Sequence, residues 1–312
     1  MWLILAFLSA AFLGIYDALK KQALKDNAVV PVLFLNTLIS SLIFLPFIVL
    51  SAQTDVLEGT IFSVAQGGWE MHRYIVLKAV IVLSSWVLGY YGMKHLPLTI
   101  VGPINATRPV MVLFGALLFF GERLNMWQWA GVLLAVISFL MLSRSGKKEG
   151  IDFKHDRSIY MIVGAALMGA VSGLYDKYLM APATEGGVGL DRMMVQSWYN
   201  IYQCAMMLVM LLVWWVTEKR SQRDDTRPVS QFRWSWAILG ISVFLSTADF
   251  LYFYALSLPS AMISIVSMVR RGSVVVSFLC GALFFQEKNL KAKAFDLALV
   301  LLGMIFLYIG SS

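Results

Sequence analysis

Apolar residues run along this chain in ten blocks separated by short polar stretches, at roughly 2–22, 29–52, 73–95, 97–121, 126–144, 157–180, 191–217, 233–257, 259–286 and 290–311. Most approach the ~20 residues that a helix rising about 1.5 Å per residue needs to cross a bilayer. The pattern predicts an all-α membrane protein of ten transmembrane helices. Spans three and four meet at Leu96-Pro97, and eight and nine at Leu258-Pro259, where proline ends one helix and opens the next. The tryptophans at 127 and 129, 214 and 215, and 234 and 236 sit at span ends, as interfacial aromatics do.

The blocks repeat. Gly14-Ile15-Tyr16-Asp17 matches Gly173-Leu174-Tyr175-Asp176, Leu96-Pro97 matches Leu258-Pro259, and Gly115 to Arg123 echoes Gly281 to Lys288. The offsets drift only from 159 through 162 to 165 (175−16, 259−97, 287−122). The expected organisation is a first five-helix repeat at 1–148, a linker at 149–156 and a second repeat at 157–312. Five is odd, so the second copy enters the membrane inverted. Inverted repeats build secondary transporters that work by alternating access, with the site near midplane at the repeat interface.

Composition then narrows the class. The chain has 312 residues, 59% of them hydrophobic and 14% charged, which fits a polytopic membrane protein and not a soluble domain. The net charge of +7 lies mainly in loops, so it points to a bilayer partner and not to nucleic acid. Cys204 and Cys280 fall inside apolar runs, and His72, His95 and His155 are scattered, so neither a disulfide framework nor a metal site is expected. No cofactor is expected. The N-terminus lacks a basic leader and reads as the first span. Loops after the odd spans carry most of the basic residues, from Lys20, Lys21 and Lys25 through Arg144, Lys147 and Lys154 to Lys288, Lys291 and Lys293; the other face has only Arg73, Lys78, Arg123 and Arg192. The positive-inside rule makes the first face cytoplasmic, with both termini outside the inner membrane.

Charges inside the spans are the candidate chemistry. Arg270 and Arg271 sit side by side in ISIVSMVRRGSVVVSFLCGALFF, residues 263–285. A central membrane charge costs roughly 2.5–3.5 kcal/mol on insertion scales, so each arginine must be paired, line a wet cavity or await an anion. Adjacent residues point about 100° apart on a helix, which lets one face a cavity while the other ties down a neighbour. Arg108 lies mid-span in PINATRP, close to the repeat position of Arg271 (271−108 = 163), where Pro103 and Pro109 should distort the helix. Its alternative is assembly, through Asp249 or Asp296. Asp249 either carries a coupling proton or neutralises Arg270 or Arg271, and the second reading is favoured. The repeated Tyr16-Asp17 and Tyr175-Asp176 pairs fall near opposite mouths and are gate or proton candidates; the alternative is helix-end pairing with Lys20 or Lys177. Asn36, Gln196, Asn200, Tyr202, Tyr252, Ser264 and Ser267 are polar-lining candidates that serve equally as helix–helix hydrogen-bonding residues.

The five-plus-five layout, with GERLNMWQWAGVLLAVISFLML at 121–142 closing the first half, resembles the drug/metabolite transporter superfamily, EamA-like branch. The second copy departs at Gln286-Glu287-Lys288-Asn289. The resemblance implies a ten-helix secondary transporter of small organic metabolites, not an enzyme. Within span nine, VRRGSVVVSF (269–278) is similar to the segment of triose-phosphate translocators whose Lys-Arg pair holds substrate phosphate; Arg270 and Arg271 fall on that pair, and the first-half cationic position falls on Asn105. The expected cargo is a small anionic or zwitterionic metabolite held by Arg270, Arg271, Arg108, Asn105, Ser267 and Tyr252. Alternatives are export of amino acids or drug-like compounds, flipping of a lipid-linked phosphate, and a membrane-embedded enzyme, for which no nucleophile motif is present. Homodimerisation is left open.

Overall fold

The computed structural model describes residues 2–111, 125–147, 151–223, 231–258, 266 and 269–311. It contains ten α-helices among them: α1 (Trp2–Leu24), α2 (Val29–Gln53), α3 (Trp69–His95), α4 (Leu98–Ala106), α5 (Met126–Lys147), α6 (Arg157–Met180), α7 (Arg192–Arg223), α8 (Trp236–Ser257), α9 (Ser273–Phe284) and α10 (Leu290–Ser311). Ten membrane-length helices were expected; seven, α1 to α3, α6 to α8 and α10, are long and apolar enough to cross a bilayer. The apolar part of α5 runs only from Met126 to Leu142. The other two exceptions, α4 and α9, are pieces of broken spans.

The breaks match. In span four, α4 ends at Ala106, Thr107 turns, and helix resumes at 108–111. In span nine, residues 269–271 are helical, Gly272 turns, and α9 follows. Thr107 N–H donates to Ile104 O (3.2 Å) and Val110 N–H to Thr107 O (3.0 Å); Gly272 N–H donates to Val269 O and Val275 N–H to Gly272 O (both 2.9 Å). Both are three-residue turns of 3₁₀ type interrupting an α-helix, 165 residues apart (272−107). Pro109 accounts for one, since it lacks the N–H that would reach Asn105 O and its ring crowds that carbonyl. A glycine sits at the other.

Helix packing is symmetric on exchanging the halves. The α1–α8 pair is matched by α6–α3, and α2–α8 by α7–α3, while α2–α7, α4–α9 and α5–α10 pair across the halves with their own counterparts. Glycines permit the closest approaches: a Cβ on Gly14 would lie 2.7 Å from Ser273 O, and one on Gly92 2.9 Å from Ser158 O. The start of α4 is held by the opposite half. Glu287 accepts from Leu98 N–H (2.7 Å) and Thr99 N–H (2.8 Å), capping donors that a helix N-terminus leaves free. Lys293 donates to Thr99 Oγ1 at 2.9 Å. Lys21 donates to the carbonyls of Met93 (2.8 Å) and Leu96 (2.6 Å), fixing the end of α1 to the end of α3.

Lys20 and Lys293, counted above with the loops, are buried inside α1 and α10, and Lys78, counted with the opposite face, is buried inside α3. The α3 helix begins at Trp69, four residues earlier than the hydropathy placed it, so Lys78 lies more than two turns inside. Removing these three leaves the basic face as dominant as before.

Candidate functional site

A cavity of about 170 Å³ opens between α1, α3, α6 and α8 and the broken spans four and nine, with Tyr199 of α7 at its wall. These six spans are three repeat-related pairs, so the cavity lies where the two halves meet. Tyr16, Asp17, Asn105, Arg108, Asp176, Asp249, Tyr252, Arg270 and Arg271 all line it. Tyr175 does not; its hydroxyl donates to Tyr74 O (3.2 Å) and its ring packs on Tyr178. Ser264 and Ser267 lie outside the described residues. Asn36, Gln196 and Asn200 are not lining either. Ser242 donates to Asn36, Gln196 donates to Ser246 O (3.3 Å), and Asn200 donates to Gln196 O (2.8 Å), contacts within and between α2, α7 and α8. Tyr202 is hydrogen-bonded to His72 Nδ1 at 2.8 Å.

Three ion pairs neutralise most of the cavity charge. Arg270 pairs with Asp249 Oδ1, whose Oδ2 accepts from the Tyr199 hydroxyl at 2.9 Å, and the guanidinium lies 4.2 Å over the Tyr252 ring. Lys78 pairs with Asp176, with the ammonium 5.2 Å from the Tyr199 ring. Lys20 pairs with Asp17 at 2.8 Å and stands 4.3 Å over Tyr16. Asp176 thus pairs with Lys78 from the other half; the side chain of Lys177 lies outside what the structure describes. Asp296, offered above as a partner for Arg108, belongs to the α5–α10 contact, where its carbonyl accepts from Ser138 (2.7 Å).

Two arginines remain. Arg108, directly after the break in span four, donates from Nη2 to Asn105 Oδ1 at 3.0 Å; its Nε is buried with no hydrogen-bond partner among the described residues. Arg271, directly before the break in span nine, has neither ion pair nor hydrogen bond among the described residues and is half-buried at the cavity. The register set by the two breaks puts the strict counterpart of Arg108 at Ser273 (108+165), two residues past Arg271. The two guanidiniums are therefore near-equivalents placed on opposite sides of equivalent turns. A guanidinium fork can bind carboxylate or phosphate through two parallel bonds.

Gly169 sets the place of Arg108. A Cβ there would lie 2.7 Å from both Cζ and Nη1 of Arg108. The clash falls on the free end of a long side chain, so Gly169→Ala should leave the melting temperature nearly unchanged and move the guanidinium. We expect the dissociation constant of an anion held in the cavity to rise on the order of tenfold, the equivalent of about 1.4 kcal/mol. In an Arg108→Ala background the same change should do nothing further, and a double-mutant cycle reads this directly.

Sequence reasoning missed Lys78, Tyr90 and Tyr199 as lining residues. Tyr90 was legible, because the Leu96-Pro97 and Leu258-Pro259 register makes it the repeat-mate of Tyr252 (252−90 = 162). Lys78 and Tyr199 have no such signal.

A sequence model of the EamA-like transporter family matches residues 1–144, from α1 to most of α5. A solved crystal structure aligns over 97% of this chain and 98% of its own length, with a TM-score of 0.61 at 13% identity. That likeness shows the fold, and it spans both halves. No curated protein matches the sequence.

Proposed function

We propose that this chain is a secondary transporter that carries a small anionic or zwitterionic metabolite across the cytoplasmic membrane by alternating access. One observation carries the reading. Arg108 and Arg271, one from each half, face a single cavity beside equivalent helix breaks, and neither has a carboxylate partner among the described residues. Broken helices are tolerated at membrane depth where they line a polar cavity, and transporters of inverted-repeat build place their cargo there. The match of the first half to a transporter family supports the same class. The halves 1–148 and 157–312 are taken as the inverted repeats. A thermal-shift screen of metabolites tests the reading, because a ligand that binds the folded state raises its apparent stability. Anions should stabilise the wild type and not Arg271→Ala. Stabilisation only by neutral or cationic compounds, equal in both proteins, would contradict it.

In this reading Asp17 and Asp176 act at opposite ends of the cavity, Asp176 through its pair with Lys78 of the other half and Asp17 beside Lys20 on its own helix, and the loops at 144–157 and 218–233 face the cytoplasm. Side-specific thiol labelling addresses both points. Cysteines in those loops should resist an impermeant reagent in intact cells. Cavity cysteines should become more accessible from opposite sides in Asp17→Asn and Asp176→Asn, since a contact stabilises only the state in which it forms. Rapid loop labelling would reverse the topology, and identical shifts would remove the opposed roles.

A further inference from the structure

The number of charges on the cargo follows from the cavity, given the anionic reading proposed above. Five cationic side chains line it, Lys20, Lys78, Arg108, Arg270 and Arg271, against three carboxylates, Asp17, Asp176 and Asp249. Each carboxylate already holds one cation: Asp17 holds Lys20, Asp176 holds Lys78 and Asp249 holds Arg270. Arg108 and Arg271 are the surplus, one from each half. The neighbouring residues outside the described set do not offset it by sequence: 259–265, 267 and 268 contain no charged residue, and 112–124 contain one of each sign, Glu122 and Arg123. Two like charges facing one cavity repel each other, and partly buried charges are screened by salt much less than exposed ones. Arg108 is deprived further, with its Nε buried and unpartnered among the described residues.

We infer that the cavity takes a soluble, doubly charged anion, a dicarboxylate or a phosphate monoester, with its negative charge shared between Arg108 and Arg271. A dianion neutralises the surplus; a monoanion leaves one guanidinium uncompensated. Binding by both halves at once also joins the two repeats, which is what a cargo that drives their relative movement must do.

The test is a set of matched probes on the purified full chain in detergent, read by calorimetry and by thermal shift. Succinate is compared with butyrate, and methyl phosphate with dimethyl phosphate. Both dianions should bind on the order of tenfold or more tightly than their monoanionic partners, a difference of about 1.4 kcal/mol or more. Methyl phosphate gains its second charge near pH 6, so its affinity should rise through that pH while that of dimethyl phosphate does not. Arg108→Gln and Arg271→Gln should each shrink the dianion preference, and the wild-type comparison stands alone if a variant fails to fold. Equal binding of dianions and monoanions would overturn the two-charge inference and leave the anionic reading intact. Binding of neutral or cationic probes with no anion binding would overturn both. Binding of a short-chain phosphatidate with none of the soluble dianions would overturn the soluble-cargo assignment and move the double charge to a lipid headgroup.

Discussion

Arg271→Ala should raise the half-saturation constant for cargo about 100-fold while the protein remains folded. A hydrogen bond to a charged partner contributes roughly 1.5–3 kcal/mol, and 1.4 kcal/mol corresponds to a factor of ten. Loss of one guanidinium fork therefore reaches about two factors of ten. Arg271 has no carboxylate partner among the described residues, so its removal strands no opposite charge and stability should hold. Arg108→Ala should behave alike, freeing only Asn105. Arg271→Lys keeps the charge and loses the fork, so it should fall between wild type and alanine. Arg270→Ala should differ in kind, because it leaves Asp249 without its cation and lowers stability first. Binding and melting temperature measured on the four variants separate the two behaviours.

The largest effect on stability should come from Lys78. Its side chain is 3% exposed and pairs with Asp176, which is 11% exposed, across the α3–α6 contact between the halves. Removing one member of a buried pair leaves an uncompensated charge and costs about 3–5 kcal/mol. Lys78→Met should therefore lower the melting temperature sharply. Lys78→Met combined with Asp176→Leu should recover most of the loss, because replacing a whole buried pair by apolar groups is often close to neutral. Additive losses in the double variant would mean that the two side chains act through separate contacts. The surface pair Arg73–Glu70, with side chains 54% and 79% exposed, provides the control: breaking it should change stability by under about 1 kcal/mol.

The spans were legible in the sequence because the bilayer demands long apolar blocks, and helix bounds such as 157–180 and 290–311 follow directly from that demand. The repeat was legible because Gly-Tyr-Asp and Leu-Pro recur in order. Arginines inside apolar spans were legible as candidates because lipid tolerates them poorly, and the structure brings three of them to one cavity. Asp249 was legible as the neutraliser of Arg270 or Arg271, and Lys20 as an alternative partner for Asp17, but not which arginine Asp249 would take nor that Lys78 would meet Asp176. Arg270 and Asp249 are 21 residues apart, Lys78 and Asp176 are 98 apart, and only helix packing decides which acid meets which base. Lys78 fell inside span three but was counted with the charges of one membrane face, because the hydropathy pattern opens the span at Arg73 whereas α3 continues back through His72 and Glu70 to Trp69. The cap of α4 by Glu287 was hidden in plain view: the repeated Glu122 and Glu287 marked a turn, but nothing local said that the carboxylate reaches the other half.

Counterflow in vesicles containing the purified protein is the measurement that bears most directly on the central claim. Vesicles preloaded with an anionic metabolite identified by the thermal-shift screen should take up the labelled form against its gradient in the wild type. Uptake should fail, or require about 100-fold more cargo, in Arg108→Ala and Arg271→Ala. Uptake with unchanged half-saturation in Arg108→Ala, Arg270→Ala and Arg271→Ala alike would show that the arginines only hold the fold together, and the anionic-cargo account would be wrong.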